Sequence, residues 1–305
     1  MKKLLVIFAH PDDESFGPCA GTLAKYAQEG VAIHYLCATR GEAGIVDEQL
    51  LTDYPGIASL RTHEVTQAAK VLGFADLQFL PYRDSGMAGA PENAHPNSLV
   101  SAPLDDVAHA ISDHIRSVQP DVIITHDHYG WYGHPDHIKC YQAVLLAYQL
   151  LYGFIPAAAT GVEWYLPHLY VSTFPKWLVK LTAQTMSLFG HDPRRYGQNG
   201  DIDLLQIASW KVPTTARINV RQYLGIKSRA AACHASQVSL TSSSNPIMQF
   251  LVQYSARSEL FHRLFPRPVG SVITDLFPDL PTEPMKSRGS RVPIQPFEIS
   301  KRSNA

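Results

Sequence analysis

Three carboxylates and an imidazole occur within five consecutive residues, His10-Pro11-Asp12-Asp13-Glu14, directly after the apolar run Leu4–Ala9. Holding that much charge at the end of a buried strand is costly unless a cation compensates it. A second cluster, Gly133-His134-Pro135-Asp136-His137, opens a helical segment much later in the chain. His134 and His137 are three apart, so they share one face of the helix's first turn. Two histidines and a carboxylate, with a position left for water, make a catalytic zinc set. Spacing alone leaves the membership open: His10 with Asp12 or Asp13, completed by His134 or His137.

Elements that alternate in type would bring the two clusters together. Leu4–Ala9 reads as a strand covered on both faces. Pro18–Gly30 reads as a helix with Gly as its stop, Val31–Ala38 as a second strand, and Ser59–Gly73 as another Gly-ended helix. Leu77–Leu80 is a short third strand, Leu104–Gln119 a helix stopped by Pro120, Asp121–Thr125 a fourth strand, and His134–Tyr152 a long helix. Strands separated by helices imply parallel βαβ units with right-handed crossovers. The expected fold is therefore α/β: a three-layer α/β/α sandwich with a Rossmann-like, mostly parallel sheet in the order 3-2-1-4-5. In that order the chain reverses direction across the sheet between strands one and four, where ligands collect beyond the strand ends. The two clusters follow those two strands.

The second half is less regular. Glu163–Thr173 and Thr214–Val220 are candidate strands, and Trp177–Phe189 and Arg221–Ala235 candidate helices. We expect one domain over 1–277, with 1–153 as the Rossmann-like core and 154–277 as a mixed extension completing the pocket. The Pro-, Ser- and base-rich stretch 278–305 reads as an extended or mobile tail.

Bulk properties narrow the class. The chain has 305 residues, 45% of them hydrophobic, and a formal net charge of −1. That charge offers no general basic field for nucleic acid. Cys19, Cys37, Cys140 and Cys233 form no C-x-x-C pair, which argues against a disulfide scaffold and a cysteine metal site. The opening apolar run is too short for a signal peptide or a membrane span. The expectation is a cytoplasmic protein with no stable membrane anchor; a homo-oligomer is compatible with the sequence.

The two His-Pro-Asp clusters resemble the signature of the LmbE-like (PIG-L) deacetylases, which include the N-acetylglucosaminyl-phosphatidylinositol, mycothiol and bacillithiol pathway deacetylases. Thr39-Arg40-Gly41-Glu42-Ala43-Gly44, Tyr82-Arg83-Asp84-Ser85-Gly86-Met87 and His234-Ala235-Ser236-Gln237 agree with it. The resemblance covers residues 3–153 well and 214–238 loosely. It implies hydrolysis of an N-acyl amide, typically N-acetyl, on an amino sugar conjugate. It implies His10, Asp13 and His137 as ligands of one Zn2+ (Fe2+ or another divalent ion being the alternative), with Asp12 as general base. It implies that His134, oriented by Asp136, stabilises the oxyanion or protonates the leaving amine. In mycothiol-type relatives the residues matching Arg40 and Asp84 contact sugar hydroxyls, and a Tyr matching Tyr132 reaches the reacting centre. Glu14 reads as an anchor of its motif, and the loops Gly41–Ile57 and Gly86–Pro103 as the mouth of the pocket.

His126 and His128 could form a second metal pair if strand four extended through them. Two other readings compete with hydrolysis. A non-haem iron oxygenase also uses two histidines and a carboxylate, but its usual all-β frame is opposed by the βαβ pattern. A non-catalytic sugar-binding or sensor module would have no use for His134-x-x-His137.

Overall fold

The structure is a computed structural model that describes residues 1–153, 166–197, 200–238, 255–268 and 270–277. Strand β1 (Lys3–Phe8) is an interior strand of a seven-stranded sheet. Its side chains divide between two cores, because successive residues of a strand point to opposite faces. Leu4, Val6 and Phe8 pack with Leu23 and Tyr26 of α2 (Ala20–Gln28) and Val65 of α3 (Ile57–Leu72). Leu5 and Ile7 pack with Ile111 and Ile115 of α4 (Leu104–Val118) and Val144 and Ala147 of α6 (Pro135–Tyr152). The result is the expected three-layer arrangement.

With β2 (Ala32–Cys37), β3 (Asp76–Phe79), β4 (Val122–Thr125), β5 (His168–Thr173), β6 (Ala216–Asn219) and β7 (Ser258–Phe265), the sheet order is β3-β2-β1-β4-β5-β7-β6. The first five strands are parallel in the expected order. The mostly parallel sheet removes the all-β frame that an oxygenase reading would need.

Differences from the sequence reading lie at element ends and in the second half. A one-turn helix, α1 (Asp13–Phe16), begins within the first cluster, and another turn, α5 (Gly130–Gly133), leads into the second. Strand β7, not anticipated, inserts antiparallel between β5 and β6. The helix expected over Trp177–Phe189 is α7 (Lys176–Leu188), and a short α8 (Leu204–Ser209) packs beside it. The segment Arg221–Ala235 is a helical turn followed by α9 (Leu224–Ala232) and then α10 (Ala235–Val238). Residues 163–165 of the expected fifth strand, and the tail 278–305, lie outside the described residues.

Strand β7 also completes α2. The first backbone N–H groups of a helix need acceptors from outside it, and Cys19 at the N-cap offers no side-chain bond. Glu259 of β7 supplies them, accepting from Gly21 N–H at 3.0 Å and Thr22 N–H at 2.7 Å while Lys227 Nζ balances its charge at 2.9 Å. No helix among the described residues is long and apolar enough to cross a membrane.

Candidate metal and catalytic site

The backbone just beyond β1 is fixed by its neighbours. Thr39 Oγ1 donates to Ala9 O at 2.9 Å, Tyr35 Oη donates to His10 O at 3.0 Å, and Ala9 N–H donates to His126 Nε2 at 3.0 Å. His10 is therefore delivered rigidly to the carboxyl edge of the sheet. On the other side, Gly133 (φ 96°) turns the chain so that His134 becomes the N-cap of α6, its Nδ1 accepting from Asp136 N–H at 3.2 Å. His137 then points back across β4.

These two deliveries converge. His10 Nδ1 is 3.1 Å from His137 Nε2 and 3.7 Å from Asp13 Oδ2, and His137 Nε2 is 3.3 Å from Asp13 Oδ1. Ligands at about 2.0–2.1 Å from a tetrahedral ion lie about 3.3 Å from one another, so His137 Nε2 has ligand spacing to both His10 Nδ1 and Asp13 Oδ1, while the His10–Asp13 contact, through the other carboxylate oxygen, is wider. Other donors overlap with this set: His134 converges with His10 and His137, His126 with Asp13 and His137, and Asp84 and Asp136 with His10. In the His126 set, the Nε2 lone pair is already taken by Ala9 N–H, which leaves His126 as a packing partner stacked on His137 at 3.9 Å. His128 is exposed and turns to Tyr129 and Tyr141, because β4 ends at Thr125; His126 and His128 do not form the pair that alternation suggested.

The electrostatics favour a cation here. Burial opposes charge on His10, yet Asp84, Asp136 and Asp13 hold its pKa well above the ordinary value. A proton and a divalent ion compete for the same carboxylate field. Burial and the charge of His10 push His134 and His137 well below their ordinary values, so both are neutral. Burial raises Asp12 and Asp13 to about 6, against the pull of Arg61 on Asp12 and of His10 on Asp13. Burial would raise Asp84 too, but the charge and hydrogen bond of His10, with the Gly86 N–H, hold it far below the usual carboxylate range.

Asp12 has the backbone of a strained site, with φ 107° in the left-handed region that a non-glycine residue seldom adopts. Two partners hold it there. Its N–H donates to Glu14 Oε2 at 2.9 Å, and its Oδ2 accepts from Arg61 Nη2 at 2.9 Å. Arg61 also donates to Pro11 O and Gly41 O. Glu14 in turn pairs with His234 Nε2 at 2.7 Å, both side chains fully buried, so Glu14 anchors the loop to the C-terminal half of the chain.

The remaining candidates are in different settings. The Asp136 carboxylate accepts from Ser85 N–H at 2.9 Å and meets His10 Nε2 at 3.2 Å; its link to His134 runs through its own backbone N–H and not through the carboxylate. Asp84 faces His10 Nε2 at 3.4 Å and accepts from Gly86 N–H. The Arg40 guanidinium lies over the Phe79 ring at 4.6 Å. The half-buried Tyr132 has its ring 5.1 Å from that of His137. Asp12, Asp13, Tyr132, Trp131, Phe174 and Gln237 line a depression of about 180 Å³. Neither Gly41–Ile57 nor Gly86–Pro103 supplies a described lining residue. Sequence reasoning missed Arg61. The signal was a positive charge on the inward stripe of α3, next to Leu60 and in register with Val65 and Ala68.

Residues 5–148 match the family described as "PIG-L: GlcNAc-PI de-N-acetylase". A relative from Thermomonospora curvata, a 1D-myo-inositol 2-acetamido-2-deoxy-alpha-D-glucopyranoside deacetylase, is 32% identical over 296 residues, covering 92% of this chain and 97% of the relative. Two solved structures share the fold. The 4-carboxy-2-hydroxymuconate hydratase GalB of Pseudomonas putida superposes with a TM-score of 0.54 at 19% identity, over 89% of this chain and 99% of its own. The N,N'-diacetylchitobiose deacetylase of Pyrococcus horikoshii gives 0.50 at 21% identity, over 86% and 84%. A hydratase and a deacetylase on one fold make the side chains at the sheet edge, not the fold, the carriers of the chemistry.

Proposed function

This chain belongs to the PIG-L (LmbE-like) family and is an N-deacetylase, and we propose that it removes the acetyl group from an N-acetylglucosamine–inositol conjugate with zinc held by His10, Asp13 and His137. The observation that carries the ligand assignment is that His137 Nε2 lies 3.1 Å from His10 Nδ1 and 3.3 Å from Asp13 Oδ1, with the other Asp13 oxygen 3.7 Å from His10 Nδ1, beside a base held by an arginine. Zinc in such a set supplies a Lewis acid that lowers the pKa of a water and polarises an acyl carbonyl.

The other roles fall to the chain's own groups. Asp12, with a pKa of about 6 in this cluster, is ionised near neutrality and accepts a proton from the attacking water. Arg61 fixes the Asp12 oxygen that does so. His134 is neutral with Nδ1 engaged by Asp136 N–H, so its proton is on Nε2, available to a developing oxyanion; a donor of this kind is worth about 3–4 kcal/mol. An amide nitrogen leaves poorly as an anion, and the proton gathered by Asp12 is available to it. Asp136 keeps His10 oriented, while Arg40, Asp84 and Tyr132 surround the sugar. The four free cysteines support a cytoplasmic location.

Release of amine from the GlcNAc–inositol conjugate and from simpler N-acetylglucosamine glycosides, by zinc-loaded protein, tests the reading. Turnover led by the inositol conjugate is the expected result. Oxygen consumption, or no amine from any conjugate with zinc bound, would overturn it.

A further inference from the structure

The turn that leads into α6 is built on one buried acid. Asp127 follows the end of β4 and is fully buried. Its Oδ1 accepts from Tyr129 N–H and from Trp131 N–H, each at 3.0 Å, and its main-chain oxygen accepts from Gly130 N–H at 2.9 Å. Three successive N–H groups of the turn therefore end on a single residue. The other carboxylate oxygen, Oδ2, is buried with no hydrogen-bond partner among the described residues. A buried acid satisfied on one side only is costly to keep, so what it holds in place matters.

Asp127 holds a strained segment. Trp131 has φ 61° and ψ −63°, the rare and strained form of the γ-turn. Gly130 (φ 65°) and Gly133 (φ 96°) also take left-handed backbone, but they have no Cβ to clash. The indole of Trp131 is fastened as well. Its Nε1–H donates to Ser172 O at 3.0 Å, and its ring packs 4.4 Å from that of His126 and 5.1 Å from those of Phe8 and His137. Tyr132 comes next in the chain. Its ring is 5.1 Å from that of His137 and 5.9 Å from that of His134, and it lines the depression with Asp12 and Asp13. The backbone angles of one residue set the direction of the next. Relaxing Trp131 to negative φ would turn the peptide that follows it and carry Tyr132 away.

We propose that Asp127 is a positioning residue of the reaction: by holding Trp131 in its γ-turn, it fixes Tyr132 in the depression beside Asp12 and Asp13. This rests on the deacetylase reading. Backbone strain persists only where the surrounding structure enforces it, and it collects where a side chain must be kept in one direction. Asp127 supplies that enforcement without touching substrate or metal.

A double-mutant cycle in kcat/KM on the GlcNAc–inositol conjugate tests the link. Asp127→Ala should lower kcat/KM by about 10- to 100-fold, the scale of a displaced group, with one zinc per chain retained. Asp127→Asn keeps an oxygen for both N–H groups and should recover most of the wild-type value. In a Tyr132→Phe background, Asp127→Ala should cost no more than about twofold, because the hydroxyl it positions is gone. A general loss of folded enzyme would cost the same in both backgrounds. Equal losses in the two backgrounds, zinc lost from Asp127→Ala, or Asp127→Asn as slow as Asp127→Ala would overturn the proposal. If Asp127→Ala does not fold, Asp127→Ser, whose shorter side chain serves at most one N–H, takes its place in the cycle. If the wild type releases amine from no conjugate, the deacetylase reading fails and crystal structures decide the anchoring role separately. Trp131 at negative φ with Tyr132 displaced in the Asp127 variant supports it; an unchanged turn overturns it.

Discussion

Arg61 Nη2 donates to Asp12 Oδ2 at 2.9 Å, tying α3 to a residue held at φ 107°. The same guanidinium reaches Pro11 O and Gly41 O, so it holds the loop as well as the carboxylate. Lysine has one point charge and cannot reproduce that fork. Arg61→Lys should lower kcat by about 100-fold, the scale of a misplaced catalytic group, with bound metal retained. Steady-state kinetics alongside metal analysis checks it. Unchanged kcat would mean that Arg61 serves the fold alone.

Gly41 makes the approach of Arg61 possible. It adopts φ +69°, and a Cβ there would lie 2.0 Å from Arg61 Nη1. Gly41→Ala should therefore cost about 1–3 kcal/mol of stability and displace Arg61, lowering kcat in the same direction as Arg61→Lys. Chemical denaturation and kinetics on one preparation test both effects.

Glu259 caps α2 from β7, far along the chain. Glu259→Ala strands two buried N–H groups and Lys227, a loss on the order of 3–5 kcal/mol. The denaturation midpoint should fall by that amount while the pH dependence of the residual activity is unmoved. A loss below about 1 kcal/mol would show that other acceptors replace Glu259.

The buried pair His234–Glu14 makes stability depend on pH. Burial works against both charges, but each sustains the other: His234 is raised above its ordinary 6.5, and Glu14 is lowered below its ordinary 4.5. The contribution of His234 is complete below its unfolded value and fades as pH rises through the raised folded one. That of Glu14 is complete above its unfolded value and fades as pH falls through the lowered folded one. The Tm gap between wild type and His234→Gln should therefore be widest between pH 4.5 and 6.5 and narrow on the alkaline side. A gap that does not change with pH would mean that the pair is not ionised.

Much of this site is visible in the amino-acid order because its groups are local. His10 to Glu14 are consecutive, and Pro135 and the His134–His137 spacing mark a helix start. Strands β1, β2 and β4 are legible as apolar runs because both of their faces are covered. What was not legible depends on contacts between distant segments. Strand β7, Ser-Glu-Leu-Phe-His-Arg-Leu-Phe, carries charge at positions whose role appears only when Glu259 meets α2 and Lys227. Arg61 looks like any helical arginine until α3 is docked against the first loop. His126 reads as half of a metal pair until Ala9 N–H is seen to occupy its lone pair.

Metal content measured together with turnover in two variants tests the division of labour at the first cluster most directly. With zinc supplied during purification, Asp12→Ala should bind one zinc per chain and turn over about 100- to 10,000-fold more slowly than wild type, whereas His137→Ala should lose both zinc and activity. Zinc lost from Asp12→Ala while Asp13→Ala keeps it would contradict the assignment, exchanging the roles of the two aspartates.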